Sequence, residues 1–176
     1  VWYSEDGRST LLRTLSSFDP TSFFSKDYGF SISHPPTWLT AENPVADYHA
    51  IEPSGRAEIL AIVRPDAGYQ DVAEFAEAYG DEAWDVLARG PIFGTRENPS
   101  YRIDYLFPSS VTGEVSRHAL LVTLGGGNAV LVWFSAAEEA WVEFEPMAEE
   151  VLLRVSVRKD YPALIPTPTP VRATGG

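Results

Sequence analysis

Cysteine is absent from the 176-residue chain, which removes disulfides, thiolate metal sites and cysteine nucleophiles together and leaves the redox compartment open. Lysine is scarce: Lys26 and Lys159 occur, and the remaining basic residues are arginines. Against 13 Lys plus Arg stand 25 Asp plus Glu, a formal net charge of −12. A surface of that sign repels nucleic acid and anionic lipid head groups, so no nucleic-acid partner is expected. Long apolar runs are also missing. Stretches such as residues 129–134 fall far short of the ~20 apolar residues a membrane helix needs. Membrane attachment is therefore expected only through an anchor outside the given sequence, and a leader upstream of Val1 is one candidate.

What is present suffices for a core. Hydrophobic residues make up 44% of the chain and aromatics 12%, which argues against disorder over most of the length. The length suits one domain with short tails. Residues 1–22 read as an N-terminal extension in which Ser9 caps a short helix carrying Leu11, Leu12, Leu15 and Phe18. Residues 23–160 read as the domain. Residues 161–176, with prolines interleaved among threonines, read as an extended tail or linker of the kind found in tethered surface proteins.

Within the domain, YGFSISHPPTW (residues 28–38) places Tyr28, Phe30, Ile32 and His34 on one face of a strand. Pro35 and Pro36 lack amide hydrogens and end its pairing, leaving Trp38 as an apolar plug. Residues 47–52 and 57–63, joined through Pro53-Ser54-Gly55, read as a hairpin. The three-to-four spacing of Val72, Phe75, Ala76, Tyr79, Ala83, Val86 and Leu87 predicts a helix over 71–87. Strands at 92–96, 101–107, 115–124 and 128–134 follow as an antiparallel meander. A helix over 145–153, with Pro146 in its first turn, and a short strand at 154–158 complete the order. This order predicts an α+β fold, an antiparallel β-sheet with helices packed on it.

The stretch 28–38 resembles the opening strand of PsbP-like or Mog1-like domains, of the form F-x-I-x-Y-P-x-x-W, with His34 in place of the usual tyrosine. Trp141, Phe144, Pro146, Val151, Leu152 and Val155 resemble the closing helix and final strand of that family. The resemblance spans about residues 23–158 in element order. It implies a Mog1/PsbP-like α/β/α sandwich. It also implies kinship with mostly non-catalytic accessory or binding proteins: photosystem II assembly factors, a Ran-binding protein and many bacterial extracytoplasmic domains. The motif contains no catalytic residue to carry over.

Each candidate for chemistry has a plainer explanation beside it. His34, His49 and His118 form no HxH, HExxH or i, i+4 pair, so no metal site is assigned and structural roles are the plainer account. The acidic runs at 71–85 and 138–150 contain no Lys or Arg. They read as solvated faces of helices or, more sharply, as a docking surface for a basic partner. Gly125-Gly126-Gly127 is followed by a strand-like run rather than a helix, which favours a hairpin turn over a phosphate loop. Trp84, Trp133 and Trp141 would line a groove or pack the core. No G-x-S-x-G occurs.

The expectation is a non-enzymatic binding or accessory module of a bacterial extracytoplasmic or cell-surface protein, tethered, with no cofactor and no catalytic or metal residue. Its partner, a protein or small molecule, would meet Glu74, Glu77, Asp81, Trp84 and Trp141. A small hydrolase built on a spatial His and carboxylate pair, for instance at His118, is the alternative from another class, and a structural spacer domain of a larger surface protein is the third.

Overall fold

The computed structural model describes residues 20–66, 68–92, 99–108 and 114–158. The helix expected from Ser9 and the tail at 161–176 lie outside these residues, as does most of the strand expected at 92–96.

The centre is a seven-stranded antiparallel sheet. In spatial order it runs β3 (Leu39–Thr40), β4 (Tyr48–Ile51), β5 (Ala57–Pro65), β9 (Asn128–Ala137), β8 (Val115–Gly125), β7 (Ser100–Pro108) and β6 (Asp85–Ile92). A three-stranded sheet of β1 (Thr21–Phe24), β2 (Phe30–His34) and β10 (Ser156–Val157) packs with helix α2 (Trp141–Leu153) on one face of it. Helix α1 (Val72–Tyr79) packs on the other face. The chain is thus an α+β sandwich with an antiparallel sheet between helices.

Central strands β8 and β9 are covered on both faces, which is why their sequences are near-continuous apolar runs instead of alternating ones. Along β9, Val130, Val132 and Phe134 enter the α2-side core, while Ala129, Leu131 and Trp133 enter the α1-side core. The two strands join through Gly126 and Gly127, at φ 63° and 77°, as a two-residue hairpin of positive φ requires. The Gly-rich run is therefore a turn.

From Phe30 onward the opening stretch behaves as its sequence suggests. Phe30, Ile32 and His34 are buried in β2, pairing ends at the prolines, and the Trp38 amide donates to the Pro35 carbonyl (3.1 Å). That turn carries Trp38 back into the core, its ring centroid 5.6 Å from that of Phe134.

Three expectations need correction. The helix expected over 71–87 stops at Tyr79. Gly80 leaves the helix with ψ 152°, and the Asp81 carboxylate takes the Ala83 amide (2.8 Å), offering the backbone a turn in place of another helical bond. Ala83, Val86 and Leu87 therefore belong to no helix face, and Val86 and Leu87 lie on strand β6. Second, α2 begins at Trp141, not at residue 145, and Pro146 sits inside it. The carbonyl that loses its bond to Pro146 belongs to Val142, a position 83% exposed, where water can take the bond. Third, Tyr28, expected on the face of the opening strand, lies in the turn before β2; ahead of that turn Thr21–Phe24 forms β1, paired antiparallel to β2.

Candidate functional site

The residues expected to meet a partner separate by face. Trp141 is 1% exposed and packs against Phe134 in the α2-side core. It is a core residue and offers no surface to a partner. Glu74, Glu77, Asp81 and Trp84 gather at the opposite corner, where α1 turns into β6. Asp71 caps the helix by accepting from the Ala73 amide (2.6 Å), and Glu74 follows in the first turn, where its charge favours the macrodipole. Glu77 is already engaged: it pairs with Arg89 of β6 and accepts from the Tyr101 hydroxyl (2.9 Å). Burial, followed by that carboxylate, pushes the Tyr101 pKa up. Trp84 lies flat on Tyr105, ring centroids 4.0 Å apart and planes within 7°.

Arginine resolves the two anionic runs differently. Glu143 of α2 is held bidentately by Arg56; Glu149 pairs with Arg102 through one contact and Glu150 with Arg154 through one, while Glu145 lies 3.9 Å from Arg117. Except for Arg154, these arginines come from the sheet or its loops, so the sequence run shows none of them. At the α1–β6 corner, Glu74, Asp81, Glu82 and Asp85 form no ion pair among the described residues. Glu138 and Glu139, just ahead of α2, likewise form no ion pair among the described residues.

The histidines occupy two sites. His34 is 2% exposed on the α2 side; its Nδ1 donates to the Pro35 carbonyl (2.8 Å) and its Nε2 meets the Tyr48 hydroxyl. Burial raises the Tyr48 pKa to about 12. On the α1-side face, a row crosses the sheet through paired positions: Glu58 on β5, Ser135 on β9, His118 on β8 and Tyr105 on β7. His118 Nδ1 is 2.7 Å from Ser135 Oγ, and its ring stacks on Tyr105 at 5.0 Å. His49 Nε2 donates to Glu58 (2.8 Å) at the end of the row. Burial lowers the His118 pKa, against a smaller upward pull from Glu58. Burial also raises the Tyr105 pKa to about 12, and the Tyr105 hydroxyl accepts from the Trp133 indole (3.0 Å).

In chemical terms the row places a neutral imidazole against a serine hydroxyl with a carboxylate nearby. Ser135, however, is only 7% exposed. A shallow concavity of about 820 Å³ lies instead at the β3–β4 edge, lined by Phe23, Glu42, Asn43, Asp47, Tyr48 and His49 among others. Neither Ser135 nor His118 lines it. Among the described residues no His, Asp and Glu side chains cluster as a metal site would require.

No family model and no curated protein matches the chain. Solved structures do. Cyanobacterial PsbP (CyanoP) from Synechocystis sp. PCC 6803 superposes with a TM-score of 0.56 at 14% identity, covering 79% of this chain and 92% of that one. LpqN, described as involved in cell envelope biogenesis of Mycobacterium tuberculosis, gives 0.54 at 12% identity, over 85% and 96%. A Bacteroides thetaiotaomicron protein gives 0.56 at 15% identity over 79% of this chain, which spans about half (48%) of that protein. The chain has a PsbP-like fold.

On that PsbP-like framework, the opening motif and the closing helix both face the α2-side core and act as architecture. Sequence reasoning missed the pairing of His118 with Ser135, although a signal existed. With a two-residue turn at Gly126 and Gly127, counting outward along both strands brings His118 opposite Ser135. It also missed β6 as a strand, and with it the exposed edge described below.

Proposed function

We propose that this chain is a non-catalytic binding or accessory module acting outside the cytoplasm, in a bacterial surface or envelope protein. The likeness in fold to CyanoP and to LpqN, the latter described as an envelope-biogenesis protein, supports the reading. The observation that carries it is the α1–β6 corner. There an eight-residue strand closes the sheet, and Val86 and Leu87 are 41% and 46% exposed beside carboxylates that have no ion-pair partner among the described residues. Apolar side chains held outward on a rigid edge serve contact better than they serve folding. The test is to follow capture of a saturable partner from the host's envelope extract alongside turnover of ester, phosphate and glycoside substrates. Saturable capture without turnover is expected. Turnover abolished by Ser135→Ala would overturn the reading.

One observation favours a second reading, a small hydrolase: the 2.7 Å contact between Ser135 Oγ and His118 Nδ1, with Glu58 close enough to influence the imidazole. In it Ser135 would attack a carbonyl and pass its proton to His118. Burial of the hydroxyl opposes this. Release of p-nitrophenol from p-nitrophenyl acetate, lost in both Ser135→Ala and His118→Gln, would establish it.

A further inference from the structure

We infer that β6 is a docking edge for an extended, basic segment of a protein partner, which adds to the central sheet as an eighth strand. The inference rests on the binding-module reading and names the partner's chemistry.

The two edges of the central sheet differ. One is β3, two residues long, too short to template a further strand. The other is β6, eight residues long, paired only with β7 among the described residues. Along such an edge every second backbone amide and carbonyl points away from its single neighbour. A register shift between Val86 and Ala88 bulges the strand at Leu87, and Pro91 lacks an amide hydrogen. Pro91 limits new pairing to the part of β6 on its N-terminal side, and the bulge at Leu87 sets a break in register that an added strand has to follow.

Charge selects the occupant. Asp81, Glu82 and Asp85 flank this stretch without ion-pair partners among the described residues, whereas Arg89 within it is taken by Glu77. A second copy of this chain, also carrying −12, would bring like charges together and is disfavoured. A segment alternating basic and apolar residues would set its positive side chains against those carboxylates and its apolar ones against Val86 and Leu87. Main-chain bonds would supply affinity, and the charges selectivity.

The probe is a pair of synthetic eight-residue peptides, one alternating valine with arginine and lysine, the other valine with glutamate and aspartate. Amide exchange and amide chemical shifts of the whole chain are recorded with each. The basic peptide is expected to slow exchange in β6 by about tenfold or more, and the acidic peptide to leave it unchanged. The triple variant Asp81→Asn, Glu82→Gln, Asp85→Asn, which changes only exposed side chains, should weaken the basic peptide by about fivefold. Leu87→Pro should remove the β6 protection. Equal effects of both peptides, no effect of either, or protection confined to another surface would overturn the docking edge. A footprint at the β3–β4 concavity would do so while leaving the binding-module reading standing; Ser135-dependent turnover would remove that reading instead.

Discussion

At the scale of single residues, His118 has the clearest consequence. Its folded pKa lies below the usual imidazole range because the ring is buried, with Glu58 offsetting part of the shift. An unfolded imidazole takes up its proton near pH 6.5, and the folded one resists. Just below that pH the unfolded state holds more protons than the folded state, so stability falls as pH falls through the window. His118→Gln removes this contribution while leaving a group able to reach Ser135. The expected outcome is a smaller loss of stability from about pH 7 to about pH 5 in the variant than in the parent, read from urea denaturation at both values. An equal or larger loss would show that the pH dependence lies elsewhere. Trp141 is simpler to test. It is 1% exposed, so Trp141→Ala should cost about 3–5 kcal/mol by loss of burial and creation of a cavity. A loss under about 1 kcal/mol in the same denaturation experiment would show that the core closes over the gap. Both tryptophans at issue carry the same sequence signal, a large aromatic in an acidic amphipathic run, and only packing separates core Trp141 from half-buried Trp84.

At the scale of elements, legibility followed how completely each segment was buried. The opening strand, the β4–β5 hairpin and the Gly126-Gly127 turn could be read from sequence because burial on a defined face, or a positive φ, constrained their residues. β6 could not. Its side chains are mostly exposed, so no alternation marks it, and Ala83, Val86 and Leu87 continue the helical spacing of α1 by coincidence. The helix ended where a glycine and a competing aspartate outweighed that spacing. Helix α1 is only eight residues long, too short to hold itself by propensity alone, and so depends on its cap and on packing through Val72, Phe75 and Ala76. Asp71→Ala, which removes the acceptor for the Ala73 and Glu74 amides, should destabilise the chain by about 1 kcal/mol. Asp71→Asn should retain most of that stability, since it keeps the acceptor oxygen. Guanidinium melts of the two variants distinguish capping from a charge effect: equal losses would assign the contribution to the negative charge at the helix terminus.

For the molecule as a whole, the balance lies between self-repulsion and cross-layer ion pairs. The net charge of −12 favours expansion of the compact state. Against it, Arg102 ties the sheet to α2, with its Nε 2.8 Å from Asp104 and its guanidinium also bound to Glu149. Its side chain is 12% exposed, so added salt reaches this pair poorly. Arg56–Glu143 and Arg89–Glu77 are exposed pairs, which contribute little and are readily screened. The diffuse repulsion acts over distances comparable with the Debye length, about 10 Å at 0.1 M, and is largely removed at that ionic strength. Salt should therefore relieve more repulsion than it weakens attraction. The melting temperature is expected to rise between about 10 mM and about 300 mM sodium chloride, where screening is nearly complete, with Arg102→Met lower than the parent throughout. A fall with salt in the parent would mean that the exposed pairs, not the buried Arg102 network, hold the layers together, and that the acidic surface is internally compensated and not held open for a basic partner.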